Sequence, residues 1–228
     1  LTEDVDKNLI FWVPINGEVN NALPDGRFDS EVFPMWSYVT HYGNWSTQLV
    51  RIPASFTDAA HRNGVPVSCV ATPPWGSLTE SWRNAFANMV EVGADKMADF
   101  MAWFGVDGIG YNSEFSTSKG IVSSLLKFNE DLRAGLRKRG MEQGEVIWYD
   151  GTAESGSIMF DNGLVSHNAA TFGDSAAPRS VLFFNYNWNR KMLLGNSSAY
   201  AKILKRSPLD LYCGINMQGK EPREGSGD

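Results

Sequence analysis

Short apolar runs alternate with helical segments along the whole chain, and that alternation constrains the fold most. Seven runs rich in β-branched and aromatic residues fall at residues 9–13, 36–41, 66–71, 108–112, 146–150, 181–186 and 211–216. Each is almost continuously apolar, the pattern of a strand covered on both faces. Between the fourth and fifth runs, Ile121, Leu125, Phe128, Leu132 and Leu136 repeat at helical spacing and form one apolar stripe. Lys138 and Arg139 occupy the last turn of that helix and Gly140 closes it. Residues 80–104 read as one long or two short helices with Gly93 as the break, and residues 55–62 as a short helix ended by Asn63-Gly64. Strand–helix alternation of this kind builds a parallel sheet.

Seven strands fit a TIM-type (β/α)8 barrel better than a doubly wound sheet, although both share this periodicity. The first strand runs into Pro14-Ile15-Asn16-Gly17-Glu18, which lacks the glycine-rich phosphate fingerprint and argues against a dinucleotide site. A complete barrel of this type has eight strands in about 250 residues. The chain has 228, and its end, Gln218 to Asp228, is polar without an eighth strand. Residues 1–219 are therefore expected to form the barrel and residues 220–228 a polar tail or truncation point. The start at Leu1 rather than Met suggests a processed or trimmed N-terminus.

The formal net charge of -6 gives no reason to expect nucleic acid or an anionic membrane as partner. No apolar run approaches membrane-spanning length. Cys69 and Cys213 lie in apolar runs and read as two buried thiols rather than a disulfide framework. His41, His61 and His167 lack metal-ligand spacing, and Ser68 and Cys69 have no base partner in the sequence. Asn44-Trp45-Ser46 and Asn196-Ser197-Ser198 match glycosylation acceptors.

Chemistry in a parallel barrel sits at the C-terminal ends of its strands. The fourth strand ends Asp107-Gly108-Ile109-Gly110-Tyr111-Asn112-Ser113-Glu114. If the strand continues, Asn112 and Glu114 share one face, about 7 Å apart, with Gly108 and Gly110 leaving space below. Glycoside cleavage needs a carboxylic acid to protonate the leaving oxygen, a role for Glu114. A 2-acetamido sugar supplies its own nucleophile, the acetamide oxygen, and Asn112 suits the task of orienting it. Alternatively, Asn112-Ser113-Glu114 is a turn capping the next helix.

The Asp107-Gly108-x-x-x-Asn112-x-Glu114 motif resembles the signature of glycoside hydrolase family 85, the endo-β-N-acetylglucosaminidases. Ala59-Ala60-His61-Arg62-Asn63-Gly64-Val65, Val146-Ile147-Trp148-Tyr149-Asp150, Phe184-Asn185-Tyr186-Asn187-Trp188 and Gly214-Ile215-Asn216-Met217-Gln218-Gly219 are similar to further family segments, in the same order. The resemblance runs from about Trp36 to Gly219. It implies that Glu114 is the acid/base, that Asn112 orients the acetamide and that Tyr149 supports it. Trp188 and Phe160 match two aromatic gates on the acceptor side, Phe160 standing where the family usually has Trp. Asp150 and Tyr186 are expected to bind substrate beside them. Phe160-Asp161 replaces the usual Trp-Gln pair, Gly151 the usual Ser, and the first strand lacks the family pattern.

The implied reaction is retaining hydrolysis of the chitobiose core of N-glycans through an oxazoline, with transglycosylation when a sugar replaces water. The implied partner is an N-linked glycan, with no metal or cofactor. A family 18 chitinase-like hydrolase shares the Asp107-to-Glu114 frame, but Gly110 and Asn112 stand at its middle acids. A catalytically silent carbohydrate-binding barrel is the alternative outside enzymes. The resemblance includes secreted bacterial and cytosolic eukaryotic proteins, and a secreted or cell-surface bacterial setting is the expectation.

Overall fold

The computed structural model describes residues 8–14, 33–46, 52, 54–190, 192–216 and 223–224. The segment after the first strand, residues 15–18, and Met217, Gln218 and Gly219 lie outside the described residues.

Seven parallel strands form one sheet: β1 (Ile10–Pro14), β2 (His41–Ser46), β3 (Val67–Ala71), β4 (Gly108–Tyr111), β5 (Val146–Tyr149), β6 (Val181–Phe184) and β7 (Leu211–Cys213). Each pairs with the next in sequence. A doubly wound sheet would reverse its order at a switch point, so strictly sequential pairing decides for the barrel. Among the described residues no backbone ladder joins β7 to β1, but the Tyr212 side chain hydrogen-bonds Asn8 just before β1. The result is a nearly closed TIM-type barrel.

Alternation along the strands sorts two interiors. Cys69, Ala71, Ile109, Tyr111, Val146, Trp148, Leu182 and Phe184 face outward into the main core. There they meet Phe86 and Met89 of α2 (Glu80–Val92), Ala98 and Met101 of α3 (Ala94–Phe104), and Val122, Leu125, Leu132 and Leu136 of α4 (Lys119–Lys138). The stretch 80–104 is thus two helices, and Gly93 separates them at φ 89°, a conformation that costs glycine no strain. The helix α1 (Ala54–Arg62) packs Phe56 and Ala60 into a smaller cluster with Val39, Tyr42, Val65 and Val67.

Inside the barrel, the space expected below Asn112 is filled. A Cβ on Gly110 would come within 2.7 Å of the Trp12 ring, and one on Gly43 closer still. Trp12 therefore lies across the interior, with its edge on Phe183 at 5.0 Å. At Gly108 the room is taken by the Glu145 carbonyl and the Ser68 hydroxyl.

Other expectations need correction. Residues 36–38 form a 3-10 turn rather than a strand, and β2 starts only at His41. Trp36 packs edge-on against Phe33 and tilts on Tyr42, so its aromatic character reflects a packed turn. The strand expected over 211–216 breaks at buried Gly214, pressed against the Phe184 carbonyl. Ile215–Asn216 pair instead with Arg223–Glu224 in an antiparallel two-residue ladder. Cys69 is buried as expected, but Cys213 is exposed.

Asp107, the first residue of the fourth-strand motif, belongs to the opposite end of the barrel. Its Oδ2 lies 2.7 Å from His61 Nε2 and accepts the Val67 backbone N–H at 2.7 Å. It fastens α1 to the start of β3 and has no part at the mouth.

Candidate active site

The end of β4 builds the centre. The Asn112 N–H makes the last rung with the Ala71 carbonyl at 2.9 Å. The chain then turns, and the Glu114 N–H donates to the Asn112 carbonyl at 2.9 Å. This turn is bolted to β5: Ser113 Oγ donates to the Tyr149 carbonyl at 2.5 Å, and the Ser113 carbonyl accepts the Thr152 N–H at 2.7 Å. The two side chains thus do not stand apart on an extended strand, as expected; Asn112 Nδ2 donates to Glu114 Oε2 at 2.8 Å. Asn112 is buried and Glu114 half-buried. The capping alternative fails, because Ser118 caps α4, accepting the Ile121 N–H.

Tyr149 and Tyr186 complete the cluster. The Tyr149 hydroxyl donates to Asn185 Oδ1 at 2.8 Å. Burial raises its pKa far above the usual phenol range, with Tyr186 and the Glu114 charge adding to the effect. Burial also raises Tyr186, which hydrogen-bonds Tyr149. Both phenols stay neutral, and the Tyr149 proton is committed to Asn185.

Asp150 was expected to meet substrate, but it is only 2% exposed. Its Oδ2 accepts the Asn162 N–H at 2.6 Å and its Oδ1 accepts Asn168 Nδ2 at 2.9 Å. Burial pushes its carboxyl up to about 8, against the opposing pull of those hydrogen bonds. Asn162, at φ 57°, donates from Nδ2 to the Phe160 carbonyl at 2.9 Å and accepts the Asn187 N–H at 2.9 Å. Asp150 therefore anchors the loop that carries Phe160.

Phe160 lies 5.8 Å from the Tyr149 ring and stacks on Trp75 at 5.8 Å and 13°. Trp188, its expected companion, is 8% exposed and packs in the main core, its indole N–H donating to the Gly214 carbonyl at 2.7 Å. The ring paired with Phe160 is thus Trp75, which the sequence reading missed. A signal was there: Trp75 follows Pro73-Pro74 directly after the third strand and precedes a glycine.

The remaining candidates resolve into structural roles. Ser68 does have a partner, contrary to expectation: its Oγ lies 2.5 Å from His41 Nε2. Both are buried in the barrel interior, and burial lowers His41 to about 4. His167 Nδ1 lies 2.8 Å from Asp161 Oδ2. Among the described residues no His, Cys, Asp and Glu group could hold a metal ion, and no helix is long and apolar enough to cross a membrane. Asn44 is buried in β2, so its acceptor motif is not presented for modification.

Residues 17–227 match the model of glycosyl hydrolase family 85. The cytosolic endo-β-N-acetylglucosaminidase of Gallus gallus is 29% identical over 200 residues, covering 86% of this chain and 26% of the relative. That of Danio rerio is 30% identical over 188 residues, covering 81% of this chain and 25% of the relative. The chain spans about a quarter of the length of these curated relatives. The glycoside hydrolase domain of Endo-D from Streptococcus pneumoniae R6 superposes with a TM-score of 0.78 at 22% identity, over 93% of this chain and 35% of that one, and shows the same fold. The expectation of a secreted or cell-surface bacterial protein is overturned: relatives from chicken, zebrafish, mouse, human and Arabidopsis thaliana are all named cytosolic.

Proposed function

The chain belongs to glycosyl hydrolase family 85, and on that premise we propose that it cleaves the β-1,4 bond between the two N-acetylglucosamines of the N-glycan core. The observation that carries the reading is the 2.8 Å hydrogen bond from Asn112 Nδ2 to Glu114 Oε2 at the end of β4. One amide and one carboxyl in contact can serve the two halves of a single sugar reaction.

Glu114 gives its proton to the glycosidic oxygen as the bond to C1 breaks. The acetamide oxygen of the same sugar attacks C1 from the opposite face. Asn112 keeps its Oδ1 for the acetamide N–H while Nδ2 holds Glu114, since an amide offers an acceptor and two donors. By accepting the acetamide N–H, Asn112 Oδ1 draws on its proton and leaves more electron density on the amide, which makes the acetamide oxygen a better nucleophile. Tyr149, neutral and fixed by Asn185, steadies the same group. Glu114 then takes a proton from water as the water opens the oxazolinium ring, whose nitrogen has kept its proton, and configuration is retained. A sugar hydroxyl in place of water gives transglycosylation.

Commitment of Asp150 supports the substrate as source of the nucleophile. The carboxyl group that follows Tyr149 is occupied by Asn162 and Asn168, so it is not poised to form a glycosyl-enzyme bond. Chitinase-like chemistry is disfavoured because Gly110, at one of its acid positions, has its space filled by Trp12.

The test is incubation with a high-mannose glycoprotein, following the mass of the protein product, with Glu114→Gln and Asn112→Ala in parallel. One N-acetylglucosamine left per site, absent with Glu114→Gln, is the expected result. Intact glycan binding without cleavage would favour a silent carbohydrate-binding barrel.

A further inference from the structure

Trp75 is 65% exposed at the barrel mouth although its surroundings hold it rigidly. Buried Pro73 and then Pro74 precede it, each with a fixed φ. Gly76 follows at φ 97°, and its N–H donates to the Glu114 carbonyl at 3.1 Å. Gly76 and Ser77 pair in parallel with Phe115 and Ser116, and the Leu78 N–H donates to the Ser116 carbonyl at 2.8 Å. Leu78 is buried beneath. One face of the indole rests nearly parallel on Phe160.

A scattered surface tryptophan needs no explanation. This one is fixed from below by a ring, from behind by two prolines and from the side by a ladder to the proposed acid. Its other face is left open to water. Sugar rings carry a face of C–H bonds with slight positive charge, which packs on the negative face of an aromatic ring.

We propose that the open face of Trp75 is a sugar-binding platform for a neutral pyranose ring of the substrate oligosaccharide. The inference rests on the glycosidase reading above. Tyr149, Phe160 and Trp75 form a row of neighbouring rings that runs from buried Tyr149 to exposed Trp75. The stacked sugar is assigned to the part of the oligosaccharide beyond the two N-acetylglucosamines, outside the acetamide pocket. Because Trp75 and Glu114 sit on segments laced together, a sugar held on the platform is aligned with the group that protonates the bond.

The experiment compares wild type, Trp75→Ala and Trp75→Phe on a high-mannose glycoprotein and on a short substrate with only the two N-acetylglucosamines. Trp75→Ala should raise KM on the glycoprotein about tenfold, with kcat within about twofold, and leave the short substrate unaffected. Trp75→Phe should regain most of the loss. An unchanged KM would overturn the platform, and so would an equal fall in kcat on both substrates, which would make Trp75 a support for Glu114. If wild type cleaves neither substrate, the glycosidase reading fails separately. Calorimetric binding of the released oligosaccharide then decides: about tenfold weaker binding to Trp75→Ala upholds the platform, and equal or absent binding refutes it.

Discussion

The Asn162 backbone N–H donates to Asp150 Oδ2 at 2.6 Å, so a buried carboxyl group behind Tyr149 fastens the loop that carries Phe160. Asn162 itself, in a left-handed conformation, reaches both the Phe160 carbonyl and the Asn187 N–H. One residue thus ties the loops after β5 and β6 together.

Replacing Asn162 separates its two contributions. Asn162→Gly keeps a backbone suited to φ 57° and loses only the side-chain bonds. Asn162→Ala loses those bonds and adds strain, so it should be less stable than Asn162→Gly by about 1 kcal/mol, measured by urea unfolding. Equal stability of the two would show that the left-handed backbone matters little there.

Two buried groups should make stability depend on pH in opposite directions. Asp150 lies near 8 in the fold, above its unfolded value, so the unfolded chain releases this proton first. Folding stability from this group is full below about pH 4 and falls as pH rises towards 8, by up to roughly 5 kcal/mol. His41 lies near 4, below its unfolded value, so stability falls as pH drops from about 6.5 towards 4, by up to about 3 kcal/mol. Between about pH 4 and 6.5 the two slopes largely cancel, so thermal unfolding across pH 4–9 should show a fall from about pH 6.5 to 8; Asp150→Asn should remove that fall and expose one below pH 6.5, and His41→Gln should extend the fall down towards pH 4.

At the site, Asn112→Ala should lower kcat by about 100- to 1,000-fold with little change in KM, because its acetamide contact strengthens as the oxazoline forms. Steady-state kinetics on a released N-glycan would read this directly. A rise in KM alone would assign Asn112 to binding.

Within the barrel, Gly110→Ala should cost about 1–3 kcal/mol, since its new methyl meets the Trp12 ring. Adding Trp12→Leu should recover part of that loss beyond additivity, as a double-mutant cycle by denaturant unfolding would show. Strict additivity would mean that the two positions do not compete for the same space.

How far the sequence reaches can be judged from single residues. Continuous apolar runs such as residues 146–149 announce a parallel strand, because outward Trp148 and inward Tyr149 are both covered. The Leu125, Leu132 and Leu136 stripe likewise shows which face of α4 is buried. Trp36 misled because an aromatic run looks the same in a strand and in a packed turn. The closeness of Asn112 and Glu114 depends on a turn that hydrogen bonds to β5 enforce, beyond the reach of residue spacing. Trp75 and Phe160 are 85 positions apart in sequence, and only the meeting of the loops after β3 and β5 makes them neighbours.

The parallel pairing of Gly76–Ser77 with Phe115–Ser116 acts as a ruler between two loops. Loops at this end of a barrel are ordinarily where lineages add or remove residues to alter specificity. Here one added residue between Ala71 and Gly76 would slip the ladder and carry Glu114 with it. Extra residues are better accommodated elsewhere, such as the exposed stretch 174–176 inside the turn closed by Gly173 and Pro178, where they leave the contact between Asn112 and Glu114 untouched.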